Sequence, residues 1–299
     1  MLSSRAMKTT TDTLRRFLFE YAPIRGEVVH LDATWQAVID RHNYPPVLRD
    51  LMGQLCAAAV LLAATLKLKG SMVLQIHGKG AVKLLVVECS GDLELRATAK
   101  WEGELAQGTL QDLVGDGRFV ITLDPKDGNQ AYQGIVALDG NSIAEILQNY
   151  MTRSEQLETR LWLAADSLHA GGMLLQRLPG HAEAADGDSW ERAVVIAETL
   201  KPEELLNVPS ADLVHLLYHE EDIRLFEAQA VEFRCTCSRD NVARMLRMLG
   251  RDEVDSILAE RGDIEVHCEF CNQSYVFDRV DADAALVEVM AISANQTLH

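Results

Sequence analysis

Arg234-Cys235-Thr236-Cys237-Ser238 and His267-Cys268-Glu269-Phe270-Cys271-Asn272 carry four of the six cysteines in the chain, as a C-x-C pair, thirty intervening residues and a C-x-x-C pair. Two close pairs of thiolates are the ligand set of a tetrahedral Zn²⁺ site, in which each sulfur lies about 2.3 Å from the metal. His267 adjoins Cys268, but an alternating strand points it away from the sulfur beside it, so it reads as structural. Four thiolates on Zn²⁺ leave a doubly negative site, and Arg234, Arg239 and Arg244 are close enough in sequence to be expected to balance it.

Local patterns on both sides of the cysteines fit a small metal-held domain. Val231 to Arg234 reads as a strand. Ser238 is a natural N-cap for a helix whose stripe is Val242, Met245, Leu246 and Leu249. Gly250 separates it from a second helix at about Asp252 to Glu260, which Gly262 ends. Ile264 to His267 alternates as a strand into Cys268, and Tyr275 to Phe277 returns beside it. Asn272 falls where a metal knuckle commonly needs left-handed backbone, which Asn tolerates. So small a domain gains little from apolar burial, and the metal is expected to supply much of its stability.

Upstream, the charge changes. The 299 residues carry a net charge of −17, with a pI of about 4.9. Residues 1–179 hold 18 Lys and Arg against 20 Asp and Glu, a net of −2, whereas residues 180–299 hold 10 against 25, a net of −15. The Pro179-Gly180 dipeptide sits at the change, which places a boundary there. Residues 180–231 read as a helical linker that opens with the small, acidic stretch Ala182 to Asp188. Ser189 is expected to cap a helix with Trp190, Val194 and Ala197 on one face. Pro202 is expected at the first position of a helix carrying Leu205 and Leu206, and Ser210 to cap one with Leu213, Leu216 and Leu217 inward. By themselves such helices bury little, so the linker is expected to be metastable.

Residues 1–179 read as an α+β core domain with a mixed sheet and grouped helices. Leu14 to Glu20 is the end of a helix or an extended arm, and Ala33 to His42 a helix. A long Ala/Leu-rich helix follows from about Val47 to Leu66, closed by Gly70. The period then changes from 3.6 to 2, giving strands at Val73–Ile76, Val82–Glu88, Leu93–Ala99, Phe119–Leu123 and Ala131–Leu138, with a turn at Asp127-Gly128-Asn129. A helix from Ser142 to Thr152 and strands at Arg160–Ala165 and Gly172–Leu178 complete the domain.

Several function classes lose support. The uncharged run Leu51–Leu66 is sixteen residues, short of the roughly 20 that a membrane span needs, and reads as a core helix. The N-terminus shows no apolar run after its basic residues, so the cytoplasm is the expected compartment. Four clustered cysteines in that reducing setting point to metal or redox chemistry. A strained disulfide across a C-x-C pair is of the labile, regulatory kind, which gives Cys235–Cys237 the makings of a redox switch. Cys56 and Cys89 read as buried small hydrophobes. His215 and His219 lack the adjoining Glu of a metalloprotease helix and read as a solvated face. No catalytic constellation emerges. A zinc-ribbon nucleic-acid-binding module is the alternative, and the acidic C-terminal half opposes it. A thiol oxidoreductase would place Cys268 at a helix N-terminus, whereas here the C-x-x-C pair sits between strands.

The whole resembles the heat shock protein 33 family. The cysteine spacing is that family's signature, and Glu253 to Glu260, Tyr150 to Leu157 with Thr159-Arg160, Ala170 to Gln176 and Tyr218-His219-Glu220-Glu221 follow its pattern in order. The resemblance implies a redox-regulated, ATP-independent holdase chaperone in three parts: the core domain 1–179, the metastable linker 180–231 and the Cys₄ zinc redox-switch domain 232–299. It implies one Zn²⁺ held by Cys235, Cys237, Cys268 and Cys271 in an inactive reduced state. Oxidation would form the disulfides Cys235–Cys237 and Cys268–Cys271, release the zinc and unfold the linker. Trp190, Leu205, Leu206, Leu213, Leu216 and Leu217 would then meet unfolding client proteins, and the active form would be a homodimer. Neither nucleic acid nor membrane is an expected partner.

Overall fold

The computed structural model describes residues 12–66, 69–125, 130–179 and 188–286, in two compact units divided between Arg234 and Cys235. In the first unit, β1 (Thr13–Phe19) and β2 (Ile24–Leu31) precede α1 (Ala33–Ile39) and α2 (Pro46–Leu66). Next come β3 (Gly70–Gly78), β4 (Val82–Ser90), β5 (Glu94–Trp101), α3 (Leu110–Val114), β6 (Gly117–Pro125) and β7 (Tyr132–Val136). Then follow α4 (Ile143–Arg153), β8 (Thr159–Ala165), β9 (Ala170–Arg177), α5 (Ser189–Ala197), α6 (Pro202–Asn207) and α7 (Ser210–Tyr218). Three short strands end the unit: β10 (Ile223–Leu225), β11 (Gln229–Ala230) and β12 (Glu232–Phe233). The second unit holds α8 (Arg239–Leu249), α9 (Arg251–Arg261) and the hairpin β13 (Ile264–His267)–β14 (Ser274–Phe277).

The architecture is α+β, as the sequence indicates. One sheet has the order β10-β1-β2-β9-β8, with β11 also on β1; the other runs β12-β5-β4-β3-β6-β7. Helix α2 lies between them. Its buried positions run around its whole circumference, from Leu48 through Met52, Leu55, Cys56 and Val60 to Thr65, because apolar sheet faces meet it on both sides. The helix spans 21 residues and is apolar enough to cross a membrane, but 78% of its most apolar window is buried inside the unit. It is the axis of a core.

The first sheet is apolar on both faces, which period-2 patterning makes legible strand by strand. Leu14, Val29, Leu31 and Leu174 face α2, while Phe17, Phe19, Val28, Met173 and Leu175 face the other way. The second face is covered by α5, α6 and α7 through Trp190, Ala193, Val194, Ala197, Leu205, Leu206, Leu213, Val214 and Tyr218. Each Leu or Val removed from water there contributes roughly 1.5–3 kcal/mol. The linker helices therefore rest on a sheet of the core. Gly26 is part of this fit: the Phe17 ring lies across it from the paired strand, in the space a Cβ would fill.

Of the two readings of Leu14–Glu20, the extended one holds, as β1 (Thr13–Phe19). Some other local expectations change: β2, α3, β10 and β11 escape the periodic reading. Gly70 does not close α2; it opens β3, where the Asp124 backbone crosses too closely for a side chain. Asp188 and Pro209, not Ser189 and Ser210, occupy the N-cap positions of α5 and α7, and neither offers a side-chain cap. Both serines lie buried inside the first turn, and the Ser210 hydroxyl has no partner. Pro202 does open α6. Leu216 is 56% exposed: the inward stripe of α7 is Ser210, Leu213, Val214, Leu217 and Tyr218, and a 3.6-residue turn carries Leu216 to its far side. The turn at Asp127-Gly128-Asn129 and residues 182–187 of the acidic stretch lie outside the described residues.

Candidate metal centre and the covered sheet

In the second unit, backbone turns bring the four cysteines together. Cys235 and Cys237 lie just before α8, whose N-cap Ser238 accepts from Asn241 N at 3.2 Å. Cys268 and Cys271 sit in the turn of the β13–β14 hairpin. Cys268 N donates to Gln273 O at 2.9 Å and Asn272 N to Cys268 O at 2.8 Å. Asn272 has φ +57°, the left-handed conformation its sequence position suggests. Beneath the turns, Val242, Leu246, Val254, Leu258, Ile264, Phe277 and Ala282 form a small apolar core.

All four Sγ atoms lie within 4.8 Å of one another. Two separations join the two segments: 3.6 Å for Cys235–Cys268 and 3.3 Å for Cys237–Cys271. A metal at the centre of four sulfurs about 2.3 Å away requires sulfur–sulfur distances of about 3.8 Å, so the donor set and its spacing fit a tetrahedral ion. The Tyr275 hydroxyl donates to Cys237 Sγ at 3.1 Å. Burial pushes the Cys237 thiol up, but hydrogen bonds from Tyr275 and the neighbouring thiols outweigh it and draw the group down to about 7. Burial pushes the Cys235 and Cys271 thiols up, and hydrogen bonds with neighbouring thiols add to the rise.

The arginines expected to balance the thiolates are engaged elsewhere. Arg234 pairs with Glu94; Arg239 donates to Val276 O and pairs with Asp281 at 2.7 Å; Arg244 bonds the side chain of Asn241. Nearby carboxylate and carbonyl oxygens are harder acceptors than sulfur and win these guanidinium groups. Tyr275 is the partner that sequence reasoning missed, because a tyrosine in a return strand looks like packing. The signal available was its place in β14, four residues past Cys271. His267 faces Glu265 at 3.3 Å and stays outside the sulfur cluster, as alternation requires.

Cys56 and Cys89 are fully buried in the first unit, where burial holds the Cys89 thiol up at about 12 and raises Cys56 further still. Neither is a nucleophile. His215 and His219 are exposed. Of the six apolar linker residues singled out in the sequence, Trp190, Leu205, Leu206 and Leu213 are buried against the outer sheet face, Leu217 packs partly against it, and Leu216 faces solvent.

Residues 12–278 match the family model described as Hsp33 protein. The chain belongs to the Hsp33 family. A "33 kDa chaperonin" of Methylobacillus flagellatus is 53% identical over 290 residues, covering 97% of this chain and 99% of that protein. One of Chromobacterium violaceum is 50% identical over 291 residues, covering 96% and 98%. A solved Hsp33 homologue of Thermotoga maritima, at 20% identity, superimposes with a TM-score of 0.81 over 94% of this chain and 99% of that one, which shows a shared fold. Hsp33 membership makes the function class a chaperone that binds unfolding proteins, not an enzyme. Alongside that membership the described residues carry a four-cysteine cluster able to hold a metal and an apolar sheet face under three helices.

Proposed function

We propose that this Hsp33 protein is a cytoplasmic, ATP-independent holdase for the stress response, switched by the redox state of Cys235, Cys237, Cys268 and Cys271. The observation that carries the reading is the convergence of those four sulfurs at tetrahedral spacing in a unit with a very small apolar core. A single Zn²⁺ held by them in the reduced state would supply a cross-link between two chain segments and keep the thiolates from stray reaction. Tyr275 orients and stabilises the Cys237 sulfur, and the left-handed Asn272 lets the hairpin turn present both its cysteines.

Oxidation removes the ligands. A molecule of hydrogen peroxide takes two electrons from a pair of thiolates; their sulfurs join, the O–O bond breaks, and two protons from solvent complete two waters. The family likeness supports the pairs Cys235–Cys237 and Cys268–Cys271, since all four sulfurs are mutually close and distance alone does not choose. Without the cross-link, the unit of α8, α9 and the β13–β14 hairpin loses its fold, and the linker 180–231, expected from its sequence to be metastable, follows. Lifting α5, α6 and α7 uncovers two complementary apolar surfaces. One is the sheet face of Phe17, Phe19, Val28, Met173 and Leu175; the other is the linker's own Trp190, Leu205, Leu206, Leu213 and Leu217. Leu216 joins the second surface from its exposed side. Exposed patches of this kind bind unfolding chains and, in the active form, a second copy of the protein. The acidic C-terminal residues repel phosphate, so nucleic acid is not the partner.

The deciding experiment measures zinc content and suppression of a client's thermal aggregation, before and after treatment with peroxide at mild heat. A single zinc lost per chain and protection gained together are expected. Equal protection by the reduced, zinc-loaded protein would sink the switch.

A further inference from the structure

On the redox reading above, the linker leaves its seat after oxidation, and what it uncovers includes an edge as well as a face. β1 lies at the edge of its sheet, and its outer side is filled by the chain's own residues 223–230. β10 pairs antiparallel with it through Ile223↔Phe19, Arg224↔Leu18 and Leu225↔Phe17, and β11 through Gln229↔Leu14 and Ala230↔Thr13. This strap is held chiefly by its backbone. Glu20 N donates to Asp222 O and Phe226 N to Arg16 O, each at 2.9 Å, and Val231 N to Asp12 O at 3.1 Å.

Side chains add little. Every residue from Arg224 to Ala230 is exposed, with Leu225 at 37% and Phe226 at 41%. Arg224 reaches Glu20 in an exposed ion pair, of the kind worth about 0–1 kcal/mol. Ile223 alone packs against the outer core. Between its two pairings the strap lifts away from β1, over a cavity of about 610 Å³ with Arg16 and the buried Glu27 in its wall.

An edge filled through main-chain bonds, with few side chains to specify the occupant, accepts any extended segment of compatible pattern. We infer that β1 is a second client site: an extended segment of an unfolding protein replaces the strap and adds an antiparallel strand to the sheet. Residues at the Ile223 and Leu225 positions stand on the Phe17–Phe19 face, so a guest with apolar residues at alternate positions joins its side chains to the uncovered platform. That alternation is what a half-buried strand exposes when its own protein unfolds. The strap is thus a resident mimic of the client.

The test uses full-length protein and a labelled peptide of residues 222–230, in three forms: unmodified, N-methylated at Phe226, and N-methylated at Leu225. Phe226 N donates to Arg16 O, whereas the adjacent amide points away from β1. The unmodified and Leu225-methylated peptides are expected to bind oxidised but not reduced, zinc-loaded protein, and to reduce client protection as they saturate. The Phe226-methylated peptide loses a donor and wedges the edge, and should bind at least about tenfold more weakly. Equal binding of all three, or protection undiminished at saturating unmodified peptide, overturns the inference while leaving the redox reading intact. Absence of any protection by the oxidised protein overturns that reading and the inference with it. A strap-to-β1 cross-link between light and heavy isotope-labelled chains, under the conditions of the protection assay, gives the edge to a second copy and overturns the client assignment.

Discussion

Tyr218 meets Phe19 edge-on, with ring centroids 5.0 Å apart. The contact joins the last turn of α7 to β1, and the Tyr218 hydroxyl continues it by donating to Ala193 O of α5 at 3.0 Å. One buried side chain therefore ties two linker helices to the sheet they cover. Tyr218→Ala should cost about 3–5 kcal/mol of local stability by opening a cavity in the outer core. Reduced, zinc-loaded Tyr218→Ala protein is expected to protect clients without oxidation, with zinc content unchanged. Tyr218→Phe removes only the hydroxyl and should fall between it and the parent in the same aggregation assay.

Tyr275 can be separated from the ligands it supports. Tyr275→Phe keeps the packing of β14 and removes the hydrogen bond to Cys237. Partners of metal ligands typically influence affinity by about 10–100-fold, and a loss in that range is expected in competition with a chromogenic chelator. The variant should also release zinc sooner under peroxide.

Chelation tests how the second unit is held. Its apolar core is small, so a chelator under reducing conditions should remove the helical circular dichroism of α8 and α9. The near-ultraviolet signal of Trp35, buried in the main core of the first unit, should persist. Digestion by a protease should then start within residues 235–286.

Glu27 predicts a pH dependence. The carboxyl is 2% exposed, and burial raises it from 4.5 to about 7, against Arg16, the Thr65 hydroxyl and Arg25, which lower it. Between those values the folded chain holds a proton that the unfolded chain has lost, so stability falls as pH rises from about 4.5 through 7. Glu27→Gln should abolish this decline. Its thermal midpoint, compared with the parent, should be distinctly higher at pH 8 than at pH 5, for a difference on the order of 3 kcal/mol.

Much of this protein is legible from the sequence where a pattern is short and its physics local. The cysteine spacing, the N-cap at Ser238, the left-handed Asn272, Pro202 at the head of α6 and the uncharged α2 each depend on a few neighbouring residues. What escapes depends on distant ones. β10 and β11 are strands only because β1 offers them an edge, so their few residues carry no periodic signal. Arg234, Arg239 and Arg244 stand near the sulfurs in sequence, yet bond to oxygens such as those of Glu94 and Asp281. Leu216 reads as inward on apolarity alone, while Tyr218, noted only within the family-like segment Tyr218 to Glu221, is the residue that anchors α7. The seat of α5, α6 and α7 is hidden for the same reason. Their apolar stripe can be read from the chain, but the sheet face it meets is made of residues 17 to 28 and 173 to 175.

The all-round burial of α2 sets what an open form would look like. Its contacts with both sheets belong to the inner core, and none of them is made through α5, α6 or α7. The first unit is layered like a laminated board, with α5, α6 and α7 as a veneer over a ply that is bonded without them. If the proposed opening occurs, the guest would meet a stiff, preformed panel, because the packing of α2 between the sheets does not depend on the helices that leave.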